Sequence, residues 1–311
     1  MEKIVKYLVP ICIIVISFLA YSCYQVNKVN EVREYEIVNV KIYKDTPAWE
    51  LALAVKNQKT SKIEELVKEE PQLLNYQDPK YGATLLMWAV GMEKYKSAET
   101  LLKCGSDPNI TTKKYGETPL FKATGFSWVD SDAKKHPKYI KLLLKYGADP
   151  DKNYIGIDGS GQESVIEPGT SPLMNTIDGG IEKTKALVEA GANINYKTKS
   201  GSTAAIQALT SWTNPEYAHY LIVEKKAKVT EPYFRRLALS NEDPNEELFP
   251  VNILRFWVFD LDSKEYKMKM EIVEEFARQG VDYWETPIYQ SILEHIKKRY
   301  PDTWEDYIKK Y

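Results

Sequence analysis

The stretch TLLMWAVGMEKYKSAETLLKCGSDP, residues 84–108, contains two apolar segments, each with a recognisable helix boundary. Thr84 precedes the first segment and can cap a helix, because its hydroxyl accepts the free backbone amides of the first turn. Gly105 follows the second segment, and glycine readily takes the left-handed conformation that closes a helix. The stretch therefore predicts a pair of helices followed by a loop.

The same two boundary signals recur along the chain. The capping signal recurs as Thr118-Pro119-Leu120, Ser171-Pro172-Leu173 and Thr203-Ala204-Ala205. The closing signal recurs as Gly147-Ala148-Asp149-Pro150, Gly191-Ala192-Asn193-Ile194 and the degenerate Lys226-Ala227-Lys228-Val229. Proline fits the first helical position because no backbone donor is needed there. The repeated unit is thus a helix, a tight turn, a longer helix, a glycine and a loop.

The spacing of these signals indicates a regular repeat with two insertions. Thr84 and Thr118 are 34 residues apart, whereas Thr118 and Ser171 are 53 apart. The second interval exceeds a unit of about 33 residues by about 20. The glycine intervals, 42 residues from Gly105 to Gly147 and 44 from there to Gly191, divide this excess into two parts. One insertion is therefore expected near 126–136, between paired helices, and the other near 152–169, in a connecting loop.

The repeated unit resembles the ankyrin repeat, a helix-turn-helix unit of about 33 residues. The resemblance implies an all-α ankyrin-repeat solenoid with about six repeats plus terminal caps. It is strongest over 82–210, and the array is expected to begin at Thr46-Pro47. Residues 46–229 are predicted to form the ankyrin repeats, and 230–311 the degenerate repeats and C-terminal cap. In the latter, Thr286-Pro287-Ile288 predicts the start of a last helix.

The N-terminus has the pattern of a targeting segment. Basic residues precede an apolar run in residues 1–22, and that run is shorter than the ~20 residues that span a bilayer. It ends in Leu19-Ala20-Tyr21-Ser22-Cys23, which resembles a bacterial lipobox. The resemblance implies cleavage before Cys23 and lipidation of its thiol; an uncleaved membrane anchor and an ordinary cleaved signal are the alternatives. Residues 23–45 would then be a tether, with a possible strand at 35–43.

Composition and motifs argue against several functional classes. Lys and Arg total 42 and Asp and Glu total 44, so a net charge of -2 gives no footprint for general nucleic-acid binding. His136, His219 and His295 have no metal-binding spacing. Cys104 directly precedes a helix-closing glycine, which favours a structural role over a nucleophile. We therefore expect neither catalysis nor a metal or other cofactor.

Binding to another protein is the function that the repeat favours. Solenoids bind through extended concave surfaces, and repeat insertions often lie on the binding face. The predicted partner-binding residues are Tyr81, Trp88, Lys113, Lys114, Tyr115, Lys122, Phe126, Trp128, Tyr154 and Ile157. A purely structural alternative is that Tyr81 and Tyr115 pack between adjacent loops and that Trp88 fills a gap between repeats.

The lipobox-like start and the ankyrin array together resemble lipid-anchored bacterial immunity proteins, which neutralise type VI secretion effectors, notably phospholipase toxins. This resemblance implies a toxin effector as partner and steric occlusion as the mechanism. It also implies attachment to a membrane of the bacterial cell envelope, through a lipid or N-terminal anchor, on the periplasmic side. A structural or accessory scaffold for an envelope protein complex is the alternative function.

Overall fold

A computed structural model describes residues 36–125, 127–129, 136–156, 166–211, 214–234, 243 and 245–311. The regular secondary structure in these ranges is helical, and no strand occurs in them. The described residues contain two isolated β-bridges, between Gln77 and Thr84 and between Tyr233 and Leu248. The prediction of an all-α fold is confirmed.

The helices follow one another as six pairs. The first three pairs are α1 (Trp49–Lys56) with α2 (Thr60–Glu69), α3 (Leu85–Gly91) with α4 (Tyr95–Lys103), and α5 (Pro119–Thr124) with α6 (Lys138–Lys145). The fourth pair is a 3-10 helix (Met174–Thr176) with α7 (Ile181–Glu189). The fifth is α8 (Ala204–Thr210) with α9 (Glu216–Ala218), which continues as a π-helix (His219–Glu224).

The sixth pair and a C-terminal cap complete the described chain. The sixth pair is α10 (Pro250–Ile253), extended by a 3-10 turn (Leu254–Phe256), with α11 (Lys264–Arg278). The cap is α12 (Gln290–Arg299) with α13 (Trp304–Ile308). The cap has a small apolar core of its own around Ile296, Tyr307 and Tyr311. Within the described ranges, each helix is too short or too polar to span a bilayer.

The helix boundaries form for the reasons that the sequence suggests. The hydroxyls of Thr84, Thr118 and Thr203 each accept the backbone amide three residues later, at 3.2, 3.0 and 3.1 Å. The closing glycines Gly105, Gly147 and Gly191 have φ angles of +95°, +86° and +88°. A residue with a Cβ disfavours this left-handed region, which explains why glycine recurs after the second helix of these three pairs.

A ladder of side-chain oxygens joins successive repeats at the base of their connecting loops. Each oxygen accepts a backbone amide from the following repeat. The four pairs are Asn75 with Asp107 (2.9 Å), Asn109 with Asp149 (2.8 Å), Asp151 with Asn193 (2.8 Å) and Asn195 with Lys228 (2.9 Å). We call these contacts the cross-repeat ladder. Because it runs from the loop after the first helix pair to the loop after the fifth, the ladder bridges both insertions.

Three sequence-based expectations about secondary structure are wrong. The signal at Ser171 begins a single 3-10 turn and not a full helix, although its hydroxyl still accepts the Met174 amide at 3.2 Å. The last part of the expected strand is a 3-10 helix, Val40–Tyr43, capped by Asn39. The last helix pair begins at Gln290 and not at Thr286, because the Thr286 hydroxyl binds the Tyr283 carbonyl and the Arg255 guanidinium.

Two buried basic side chains hold the sixth pair against the end of the chain. Arg255 donates to the main-chain oxygens of Tyr311 at 2.7 Å and Tyr283 at 2.9 Å. Lys269 donates to the Trp257 carbonyl at 2.9 Å, and its ammonium lies 3.8 Å from the centre of the Tyr311 ring. Burial, and then the nearby Arg255 charge, lower the pKa of Lys269 well below its usual value. Main-chain oxygens and an aromatic ring are thus the partners of these two side chains.

Candidate protein-binding surface

Two tyrosines on adjacent connecting loops form the first part of the predicted surface. The rings of Tyr81 and Tyr115 stack with centroids 5.8 Å apart and planes inclined by 17°. The Lys114 ammonium lies 5.0 Å from the first ring and 5.5 Å from the second. The Lys114 backbone amide also donates to the Tyr81 carbonyl at 3.1 Å. The two loops are therefore joined by their backbones as well as by their side chains.

Asp78 gives the first of these loops its shape. Its carboxylate accepts the backbone amides of Lys80, Tyr81 and Ala83 at 3.0, 2.8 and 2.7 Å. The Asp78 side chain is buried, so the amides of the loop stabilise its charge. The Tyr43 hydroxyl donates to the Ala83 carbonyl at 2.9 Å and connects the loop to the Val40–Tyr43 3-10 helix. Burial, followed by the Asp78 charge, raises the pKa of Tyr43.

Lys113 and Lys114 are both exposed at the edge of the stacked rings. Lys113 lies across Gly82, where an added Cβ would come within 2.5 Å of the lysine Cγ. Burial raises the pKa of Tyr115, and the Tyr81, Glu117 and Glu36 charges add to this effect. Burial also raises the pKa of Glu117, although Lys122 opposes the shift.

Two further predicted residues, Lys122 and Trp128, lie close together beside the first insertion. The Lys122 ammonium lies 5.3 Å from the Trp128 ring centre. The Trp128 amide donates to the Gly91 carbonyl at 2.9 Å, and the indole covers Gly91 so closely that an added Cβ would be 2.2 Å from a ring carbon. Both side chains are half-buried. The insertion is thus attached to the first helix of the preceding repeat.

A cleft of about 430 Å³ lies further along the first-helix side of the stack. It is bounded by the Met174–Thr176 turn, helix α8 and the loop segments beside them. Its lining residues are mostly apolar or uncharged: Ile166, Glu167, Thr170, Met174, Asn175, Ile177, Ser200, Ser202, Ile206, Gln207, Thr210, Tyr233 and Phe234. Glu167 accepts the Ser200 amide at 3.0 Å and its hydroxyl at 2.8 Å, which fixes one wall.

Comparison with known proteins agrees with this architecture. Residues 51–154 match the family model described as Ankyrin repeats (3 copies). The chain contains ankyrin repeats. The match covers the described helices from α1 to α6, and further helix pairs follow it along the chain. Ankyrin repeats are protein-interaction modules, which bind partners through an extended surface. No curated protein matches the chain.

Three predicted contact residues of this ankyrin array are buried. Tyr81 is 5% exposed, Trp88 1% and Tyr154 4%. Trp88 belongs to the main hydrophobic core, and the Tyr154 ring stacks on Phe121 with centroids 5.2 Å apart. These side chains fill the array and do not present their rings to a partner. The expectation that they are surface contacts is corrected, and the structural alternative applies to Tyr81 and Trp88.

Other predicted positions lie outside the described residues. These are Cys23, Phe126 and Ile157. Ile155, in the described start of the second insertion, is 63% exposed and donates its amide to the Gly116 carbonyl at 3.1 Å. It therefore extends the loop row that contains Lys113, Lys114 and Tyr115.

The cleft also contains two residues outside the predicted partner-binding set. Asn175 and Gln207 each lie four residues after a capping residue, the position that Trp88 and Lys122 occupy in earlier repeats. Asn175 lines the cleft, and its side-chain nitrogen donates to the Thr124 hydroxyl at 2.8 Å and to the Phe121 carbonyl at 3.3 Å. Comparing this one position across repeats is the signal that identifies both residues.

The described residues hold no group of three His, Cys, Asp or Glu side chains that could bind a metal ion. His136 and His295 are exposed, and His219 contacts Glu271 and Glu224 at a helix surface. Cys104 is a half-buried free thiol whose pKa is raised by burial. A raised pKa disfavours the thiolate that a nucleophile needs.

Proposed function

We propose that this chain is a non-enzymatic, membrane-tethered ankyrin module that binds another protein. The cleft of about 430 Å³ carries this proposal, because it combines apolar walls with the side-chain amides of Asn175 and Gln207. Apolar walls with a few polar groups are typical of binding sites. The Gln207 amide can both donate to and accept from the backbone of a bound segment, whereas the Asn175 side chain can act there as an acceptor.

We propose further that the partner is a secreted toxin, with a phospholipase effector of type VI secretion as the specific candidate. The array would act as an immunity protein by steric occlusion, covering the active-site entrance or the membrane-binding face of the toxin. Stable protein interfaces bury about 800 Å² on each partner. The row of loops and the cleft extend over successive repeats, as an interface of this size requires.

The proposed location is the bacterial cell envelope, with the array facing the periplasm and attached to a membrane. The lipobox-like ending at Cys23 supports this proposal. Replacing Cys23 with Ala should abolish lipidation, which mass spectrometry and membrane fractionation of cells detect directly. Unchanged mass, processing and fractionation in Cys23→Ala would contradict lipid attachment.

The binding proposal is tested by affinity capture from lysate of the source organism, with residues 24–311 as bait. We expect one stoichiometric partner whose hydrolase activity on phospholipid vesicles falls when the ankyrin protein is added. Gln207→Arg, which places a bulky cation in the cleft, should weaken this capture. Gln72→Arg is the matched control, since Gln72 is exposed on the Pro71–Leu73 turn. Recovery of a resident envelope complex would instead favour the scaffold function.

A further inference from the structure

We propose that the loop row formed by Lys113, Lys114, Tyr115 and Ile155 binds an acidic polypeptide segment of the partner. We call these four residues the loop-row site. The inference rests on the proposed protein-binding function and adds that the partner segment bound here is acidic. It is carried by two exposed cations held in place by neighbouring backbones and rings.

The two lysines are fixed in position before a partner arrives. The Lys114 ammonium lies near two stacked rings, and its backbone amide is bonded to the preceding loop. The Lys113 stem rests on Gly82. A cation near an aromatic face is attracted to it while its outer side stays open to an anion. Such preorganisation reduces the entropy lost on binding.

Neutralisation of these cations within the array is incomplete. Neither Lys113 nor Lys114 has an ion-pair partner among the described residues, and this includes Glu36, whose charge acts on Tyr115. Asp78, in the adjoining loop, is buried and accepts three backbone amides. Glu117 has a raised pKa because of burial. The loop-row site therefore presents local positive charge on a chain whose net charge is -2.

The size and composition of the site favour a polypeptide over other anions. Attachment to an anionic membrane takes clusters of about four to eight basic residues, and the site offers two. Non-specific nucleic-acid binding needs several phosphate contacts and a basic face. Ile155, 63% exposed and bonded to Gly116 next to Tyr115, adds an apolar contact. A segment with clustered carboxylates and an apolar side chain complements this combination.

The test uses a fluorescein-labelled oligoglutamate peptide that contains one leucine, and a glutamine version of the same peptide. Fluorescence anisotropy with the protein should show binding of the glutamate peptide that weakens as salt rises from about 50 to about 200 mM. The Lys113→Gln/Lys114→Gln variant should bind it about tenfold more weakly. Lys141→Gln/Lys145→Gln is the matched control, because both lysines are exposed on α6 and one lies 5.5 Å from a tyrosine ring.

Equal loss of affinity in both variants, or equal binding of the two peptides, would overturn the inference. So would binding to phosphatidylglycerol vesicles that depends on Lys113 and Lys114 while the glutamate peptide does not bind. Failure here is distinct from failure of the proposed function. If the capture experiment yields a partner that Lys113→Gln/Lys114→Gln still retains fully, protein binding stands and the acidic-segment inference fails.

Discussion

The side-chain oxygen of Asn109 lies 2.8 Å from the backbone nitrogen of Asp149, across the boundary between two repeats. The Asn109 side-chain nitrogen also donates to the Gly147 carbonyl at 2.9 Å. One side chain therefore satisfies a donor and an acceptor of the loop that follows α6. Because each repeat of a solenoid contacts mainly its neighbours, each hydrogen bond of the cross-repeat ladder contributes directly to the coupling between repeats.

Replacing Asn109 with Ala should lower the free energy of unfolding by about 1–3 kcal/mol, since both backbone groups lose their partner. Urea unfolding followed by circular dichroism measures this change. Asn57→Ala is the control, because Asn57 is exposed at the end of α1; it should change stability by no more than about 0.5 kcal/mol. Equal effects of the two substitutions would show that the Asn109 hydrogen bonds do not stabilise the array.

Lys183 should be more important for stability than its exposed neighbour on the same helix. Its buried ammonium donates to the carbonyls of Ala123 and Gly125, at 2.9 and 3.1 Å, at the end of α5. Losing hydrogen bonds from a charged donor costs about 1.5–3 kcal/mol, so Lys183→Met should destabilise the protein by about that amount.

Urea unfolding and amide hydrogen exchange across residues 119–125 measure the Lys183 effect. The control is Lys185→Met, which removes a partly exposed pair with Glu182 and should cost under about 1 kcal/mol. Faster exchange confined to the end of α5 would locate the loss at the predicted carbonyls. Unchanged exchange there, with full stability, would contradict the capping role.

The local features of this fold could be predicted from sequence because they depend on adjacent residues. Thr84 and Thr118 each mark the start of a helix, because the hydroxyl accepts the backbone amide three residues later. Gly147 marks the left-handed turn that ends a helix. The burial of Trp88 could not be predicted in this way. It lies in one core with Val40 and Ile42, whose segment carries no repeat signal.

The candidate surface also contains one part that could be predicted from sequence and one part that could not. Lys113, Lys114 and Tyr115 could be selected because loop positions of an ankyrin repeat are recognisable from spacing. The cleft could not, because Met174 and Phe234 come together only through packing of the fourth repeat against a segment distant in sequence. The shortening of the Met174–Thr176 helix to a 3-10 turn likewise left no sequence signal, since Ser171 and Pro172 are ordinary helix-starting residues.

Replacing Gly147 with Ala isolates the cost of the left-handed conformation. Gly147 has φ of +86°, and an added Cβ would meet no atom within 4 Å. The change should therefore cost about 1–2 kcal/mol through backbone strain alone. Thermal and urea unfolding measure it, and Gly191→Ala, with φ of +88° and equally open space, should give the same result. A cost at only one of the two sites would point to an effect other than φ.

The pH dependence of stability should reveal Lys269. Its lowered pKa means that the folded protein releases this proton at a pH where the unfolded lysine, with a pKa of about 10.4, still holds it. In that range the unfolded state binds more protons, so the free energy of unfolding contributed by Lys269 rises with pH. Tyr283 and Tyr311, with pKa values raised mainly by burial, oppose this trend only as the pH approaches about 10, where unfolded tyrosine ionises.

Lys269→Met removes the titrating amine and keeps most of the side-chain volume. Between pH 7 and about pH 9.5, the unfolding free energy from urea titrations should rise less steeply in Lys269→Met than in the unsubstituted protein. Lys267→Met is the control, because Lys267 is exposed on the same helix, and it should leave the slope unchanged. Identical slopes in all three proteins would mean that Lys269 stays protonated in the fold. Its carbonyl and ring contacts would then stabilise the charge fully without an acidic partner.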